Sequence, residues 1–134
     1  MSYLLDTDTC SRIMRSRTGD LWDRLDQLPE QSAAISVITL GELQFGATLK
    51  PLATRIAAQL DKLLRCLPVL PLSPDSCVHY ARIRSDLQRK GTPIGPNDLW
   101  IAAHALTHKL TLVTHNTQEF ARVKGLKLEN WVNS

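Results

Sequence analysis

The chain has 134 residues, 43% of them hydrophobic and 22% charged, a composition typical of one soluble globular domain. Sixteen Lys and Arg against thirteen Asp and Glu give a net charge of +3, which permits a polyanionic partner without requiring one. The sequence has no signal-peptide pattern and no run of about 18 apolar residues, which argues against a secreted or membrane-spanning protein. Its three cysteines are odd in number and lack metal-site spacing, so we expect reduced thiols in a cytoplasmic setting.

Apolar runs alternate with amphipathic stretches along the whole chain. The patterns predict five strands, at 3–5, 33–37, 69–72, 110–113 and 126–128. Between them they predict helices that end at about 15 and that cover 19–28, 38–47, Pro51 to about 65, 73–90 and 96–106, followed by a short helix from 116. Asp8 or Thr9 is expected to cap the first helix. Pro71 places its strand near a sheet edge. This alternation predicts an α/β domain with a parallel sheet covered on both faces.

The stretch from Pro93 to Leu106 gives the clearest local prediction. Pro96 suits the first position of a helix, where its missing N–H removes no hydrogen bond. The apolar residues that follow recur at helical spacing and form a narrow packing face. Asp98 lies in the first turn, where the helix dipole favours negative charge, and for a lone aspartate that is a sufficient explanation.

Four acidic or amide side chains occupy comparable places beside the predicted strands: Asp6, Glu42, Asp98 and Asn116. Glu42 also fits a T-x-x-E capping box that begins at a threonine, and Asn116 fits another with Glu119, so capping remains an alternative. The carboxyl ends of parallel strands share one edge, and we expect these side chains to meet there. Clustered carboxylates without Cys or His suit Mg²⁺ or Mn²⁺, ions that activate a bound water.

Short motifs recur in a fixed order along nearly the whole chain: YLLDTD at 3–8, SVITLGEL at 36–43 with GA at 46–47, KGTPIGPND at 90–98, IAA at 101–103, LVTHNTQEF at 112–120, and GL with ENW between 125 and 131. At these spacings the chain resembles the PIN-domain ribonucleases, specifically VapC toxins of bacterial VapBC toxin–antitoxin pairs. The resemblance implies a single PIN domain over 1–134. It implies three α/β/α layers around a mainly parallel sheet of about five strands.

The resemblance also implies an activity and its cofactor. A VapC toxin is expected to inhibit translation as a Mg²⁺-dependent endoribonuclease, with tRNA, and the anticodon loop of initiator tRNA in particular, as substrate. Mn²⁺ would substitute for Mg²⁺. Asp6 and Asp98 would ligate the metal, and Glu42 would bind a second ion or orient the water. The family often has a fourth acid where this chain has Asn116, and Glu119 one turn later is the alternative.

Further contacts and partners follow from the same resemblance. Thr7, Thr114 and His115, which flank the acids, are expected to contact RNA, with capping or surface roles as the alternative. The resemblance implies a homodimer, a VapB-type antitoxin and promoter DNA bound only through the antitoxin. The apolar faces within 21–28 and 60–64 are either core or a groove for antitoxin helices.

Two other classes of function compete with this interpretation. A non-catalytic nucleic-acid-binding or regulatory domain would keep the fold with an incomplete acid set, and Asn116 is its support. A phosphoacceptor receiver domain also places acids at strand ends. It expects an Asp after a middle strand and a Lys after a late one, whereas here the strand at 69–72 ends in Leu72 and Thr114 is followed by His115.

Overall fold

The computed structural model describes residues 1–49 and 53–132. Strands and helices alternate as predicted: β1 Tyr3–Leu5, α1 Thr7–Arg15, α2 Asp20–Asp26, β2 Ala33–Ser36, α3 Val37–Gly46, α4 Ala53–Cys66, β3 Val69–Leu70, α5 Pro74–Lys90, α6 Pro96–Thr107, β4 Thr111–Val113, α7 Thr117–Phe120 and β5 Leu128–Glu129. Pro51, expected to open the fourth helix, lies outside the described residues. No helix within the described ranges is long and apolar enough to cross a bilayer.

The five strands form one sheet in the order β3-β2-β1-β4-β5, and every pair is parallel. The sheet grows outward from β1 through β2 and β3, and the chain then crosses to β4 and β5 on the other side. The carboxyl ends of β1 and β4 therefore form a topological switch point, the place where open α/β sheets leave a crevice. β3, followed by Pro71, is an edge strand as predicted.

Helices cover both faces of the sheet, because successive residues of each strand point to opposite sides. Leu4 and Leu112 pack into a core with α5 and α6, whereas Leu5 and Val113 pack into a second core with α1, α2 and α4. The predicted three-layer fold is confirmed. The faces over 21–28 and 60–64 are chiefly core, since the following members are at most 7% exposed: Trp22, Leu25, Leu60 and Leu63.

Candidate active site

Asp6 stands directly at the switch point, between β1 and α1. Its backbone N–H donates to the Val113 carbonyl at 3.0 Å, and its Oδ1 accepts from the Thr9 N–H at 2.8 Å. The prediction that Asp8 or Thr9 caps α1 is wrong, because a single residue separates the strand from the helix and Asp6 is itself the N-cap. Asp6 is 2% exposed. Burial raises the pKa of its carboxyl group, and hydrogen bonds from Thr114 and Thr9 lower it in part.

Glu42 projects from the second turn of α3 towards α1. Ser36 caps α3, since its Oγ accepts from the Ile38 N–H at 3.1 Å. The predicted capping box of Thr39 and Glu42 is therefore wrong. The hydroxyl of Thr7, in the first turn of α1, donates to Glu42 Oε1 and lies 3.2 Å from Thr39 Oγ1. Glu42 is thus fixed by a neighbouring helix and does not cap its own.

Asp98 lies in the first turn of α6, after Gly95 and Pro96, as predicted. Its pKa is raised to about 7, first because burial removes water from the carboxylate. The remaining causes are the charge and hydrogen bond of Glu119 and the charges of Asp6 and Glu42. Because Coulomb interactions weaken with distance, these causes indicate that the acids face one common space.

Glu119 of α7 forms the fourth part of this acidic cluster. Its Oε1 accepts from the Gly95 N–H at 3.3 Å, on the loop that leads to Asp98. Asn116 precedes α7 but forms no side-chain cap, and its own N–H donates to Thr114 Oγ1 at 3.0 Å. The predicted capping box between Asn116 and Glu119 is therefore wrong. Glu119 lies against Asp98, whereas the Asn116 side chain is exposed.

The three residues predicted to contact RNA differ in their surroundings. Thr114 is fully buried with its hydroxyl bonded to Asp6, and the Thr7 hydroxyl is bonded to Glu42. In this structure both threonines therefore position acids. His115 is half-buried, and its Nδ1 has no hydrogen-bond partner within the described residues. An RNA contact stays a prediction for all three.

Sequence reasoning missed a buried polar pair beside the cluster. Ser36 Oγ lies 2.8 Å from His104 Nδ1, and both residues are fully buried. A serine between a strand and a helix is a common N-cap, and that was the available signal for Ser36. No local pattern connects it with His104, 68 residues later.

The donor set of the acidic cluster fits a hydrated divalent cation. Mg²⁺ prefers oxygen ligands and keeps several waters, so one or two carboxylates suffice to bind it directly. Among residues 1–49 and 53–132, no ion pair involves any of the four acids. Burial, and then the uncompensated charges of its neighbours, raise the pKa of Asp98. The same two ranges include no group of three ready-made metal ligands. An ion bound here would therefore be held partly through water.

A groove of about 590 Å³ begins beside Glu42 and runs between α1, α3 and α4. Its lining includes three cations, Arg15, Arg17 and Arg55, and apolar side chains such as Leu43. Guanidinium groups are suited to phosphate oxygens, so this groove provides positive charge next to the negative cluster.

A family model for the PIN domain matches residues 3–126. The chain belongs to the PIN-domain family. It is 37% identical over 132 residues to ribonuclease VapC2 of Rickettsia felis and 36% identical over 131 residues to the tRNA(fMet)-specific endonuclease VapC of Salmonella typhimurium. Each alignment covers 98% of this PIN-domain chain and 98% of the relative.

Solved structures agree with these matches. VapBC2 from Rickettsia felis, bound to a promoter DNA fragment, is similar to this chain with a TM-score of 0.91 and 36% identity, over 98% of this chain and 100% of that one. DNA-bound VapBC from Salmonella typhimurium gives a TM-score of 0.91 and 36% identity, over 98% and 99%. The predicted VapC family, fold class and endoribonuclease class are confirmed, and the phosphoacceptor receiver alternative is wrong.

Proposed function

We propose that this VapC-family chain is a Mg²⁺-dependent endoribonuclease that cleaves tRNA and acts as the toxin of a toxin–antitoxin pair. The observation that carries the proposal is the convergence of Asp6, Glu42 and Glu119 on Asp98 at the switch point of the sheet. A polyanionic RNA approaches such a cluster favourably only when a cation offsets the negative charge. One divalent ion would therefore offset the charge of both the carboxylates and the RNA phosphates.

The residues at the site have distinct roles in this proposal. Asp6 and Asp98 would be the direct ligands of Mg²⁺, or of Mn²⁺ as a substitute. When bound there, the ion would make a water more acidic and would stabilise negative charge on the phosphoryl oxygens. Glu42 is held by Thr7 and orients the attacking water by accepting its hydrogen bond. Glu119 supplies the acid that Asn116 does not, and His115 and the arginines of the groove bind flanking phosphates.

The expected substrate is tRNA, with the anticodon loop of initiator tRNA as the site of cleavage. The support is the relative from Salmonella typhimurium, which is named for tRNA(fMet) and aligns with 98% of this chain. Cleavage of that loop would remove the tRNA from initiation, and we therefore propose that the protein inhibits translation.

We also propose a VapB-type antitoxin as the protein partner, because the similar solved structures are VapBC complexes. A basic antitoxin side chain entering the groove beside Glu42 would offset the charge of the acidic cluster in place of a metal ion. The proposal includes a homodimer in the cytoplasm, with promoter DNA bound only through the antitoxin. Co-expression with the product of a short neighbouring reading frame, followed by co-purification, tests the pairing.

Cleavage of purified tRNA in the presence of Mg²⁺ tests the activity. Wild type should cut at one position, mapped by sequencing the new 5′ ends, and EDTA should stop the reaction. Asp6→Asn and Asp98→Asn should each lower kcat by roughly 10³-fold. Asp6→Asn is a clean change, because its amide oxygen can still accept from the Thr9 N–H. Equal cleavage by wild type and both variants would indicate a contaminating nuclease and contradict the proposal.

The same experiment separates the non-catalytic alternative, which Asn116 favours. RNA binding measured without metal, together with no cleavage at any Mg²⁺ or Mn²⁺ concentration, would support a binding domain. Cleavage that depends on the metal and on Asp98 would exclude it.

A further inference from the structure

Hydrogen bonds to acidic side chains connect the helices that surround the cluster. Thr7 of α1 bonds to Glu42 of α3, and Gly95 before α6 bonds to Glu119 of α7. The remaining connection, between α3 and α6, is the buried pair of Ser36 and His104. This pair is the part of the structure that the mechanism above does not use.

The Ser36 hydroxyl takes part in two hydrogen bonds, and the tautomer of His104 sets the direction of the second one. Ser36 Oγ accepts from the Ile38 N–H at 3.1 Å, so its own hydrogen is free to donate to His104 Nδ1 at 2.8 Å. We assign the proton of the neutral imidazole to Nε2, which has no hydrogen-bond partner of good geometry within the described residues, although the Pro71 backbone lies near the ring. Burial and the neighbouring His108 lower the pKa of His104 to about 4, which keeps the ring neutral as this bond requires.

A leucine would fill the same buried place without leaving Nε2 unpaired, and an unpaired buried polar atom destabilises a fold. A core histidine at this position therefore needs a compensating role. His104 lies on the helix that carries Asp98, and Ser36 caps the helix that carries Glu42. The bond between them fixes the start of one acid-bearing helix relative to the other.

We propose that His104 is a positioning residue for RNA hydrolysis, which acts through the Ser36 hydroxyl to hold Glu42 in register with Asp98. The expected effect on catalysis rests on the proposed function. The claim that His104 holds Ser36 in place does not depend on any activity. The pair touches no substrate, so its loss should lower kcat more than it changes KM.

Four variants test the inference. His104→Leu and Ser36→Ala remove the bond, and His104→Asn keeps an acceptor near the position of Nδ1. Ile101→Val, also fully buried on α6, is the control for general loss of core packing. The two measurements are kcat and KM for tRNA cleavage, at a temperature where circular dichroism shows every variant folded, and hydrogen exchange of the Ile38 amide.

We expect His104→Leu and Ser36→Ala each to lower kcat about 10- to 100-fold with KM within about twofold, and the double variant to be no worse than either. Both should speed exchange of the Ile38 amide. His104→Asn should recover most of kcat, and Ile101→Val should keep it.

Unchanged Ile38 exchange in His104→Leu overturns the inference whatever the activity, because Ser36→Ala removes the acceptor of that amide itself and serves as the reference for its complete loss. If His104→Leu and Ser36→Ala speed this exchange but leave kcat unchanged, the claim that the bond supports catalysis is overturned. The same claim is overturned if Ile101→Val lowers kcat as much as these two variants do. If His104→Leu does not fold, His104→Asn is compared with Ser36→Ala instead, and Ile38 exchange and kcat that match those of Ser36→Ala overturn the inference. If the wild-type protein cleaves no RNA, the proposed function is contradicted. Exchange of the Ile38 amide would then still test whether His104 holds Ser36 in place.

Discussion

The two halves of the acidic cluster are built differently. At the hydroxyl-held corner, formed by Asp6 and Glu42, each carboxylate receives a hydrogen bond from a threonine hydroxyl. At the paired-acid corner, formed by Asp98 and Glu119, the two acids face each other, and the donor present is the Gly95 N–H on Glu119.

This difference shows where a cation matters most. At the hydroxyl-held corner, threonine donors hold both carboxylates in place, although burial still raises the pKa of Asp6. At the paired-acid corner the negative charges repel and raise the pKa of Asp98 to about 7. Only a proton or a bound cation relieves that repulsion, and the predictions below test this contrast.

The largest expected effect is a gain of stability when Asp98 loses its charge. Without metal at pH 8, Asp98→Asn should raise the free energy of unfolding by roughly 1 to 2 kcal/mol, a value reduced from the full pKa shift because water screens the partly exposed carboxylate. Urea unfolding followed by circular dichroism measures it. Asp61→Asn, an exposed change on α4, is the control and should have no such effect.

The same contrast predicts a pH dependence of stability. The Asp98 carboxyl group has a pKa near 3.8 in the unfolded chain and about 7 in the folded one, so the folded protein binds more protons between these values. The contribution of Asp98 to the unfolding free energy of the metal-free protein therefore falls as pH rises from about 4 to about 7. The difference between wild type and Asp98→Asn should grow over that range. A difference independent of pH would contradict the assignment.

A smaller effect on kcat is expected to distinguish the role of Glu119 from that of Asn116. Glu119→Gln should lower kcat about tenfold, because it removes a charge that faces Asp98, whereas Asn116→Ala should stay within about twofold of wild type. Parallel tRNA cleavage assays at saturating Mg²⁺ compare the two. A larger loss for Asn116→Ala than for Glu119→Gln would show that Asn116 completes the cluster.

The smallest effect concerns the hydroxyl-held corner. Thr7→Val removes the donor to Glu42 while keeping the side-chain shape, and kcat should fall about three- to fivefold. Thr7→Ser keeps the hydroxyl and should retain nearly full activity. If both variants lose the same activity, the methyl group and not the hydrogen bond is what matters at this position.

The sequence was sufficient for the order of strands and helices and for the edge where the acids meet, because strand periodicity and βα alternation are local signals. Asp6 and Asp98 could be placed because each follows a clear strand or begins a clear helix. The N-caps of α1 and α3 were predicted wrongly. Asp6 and Ser36 lie where a strand passes directly into a helix, so the cap comes earlier in the chain than the sequence pattern suggested. Glu119 was left ambiguous because its partner, Gly95, is 24 residues away.

Metal binding by the intact protein tests the central claim most directly. Titration of metal-free protein with Mn²⁺ at pH 7.5, followed by electron paramagnetic resonance, reports bound ion without RNA. Wild type should bind Mn²⁺ in competition with Mg²⁺, and Asp98→Asn should bind it at least about tenfold more weakly. No binding by wild type, or equal affinity in Asp98→Asn, would contradict the claim that the paired-acid corner depends on a cation.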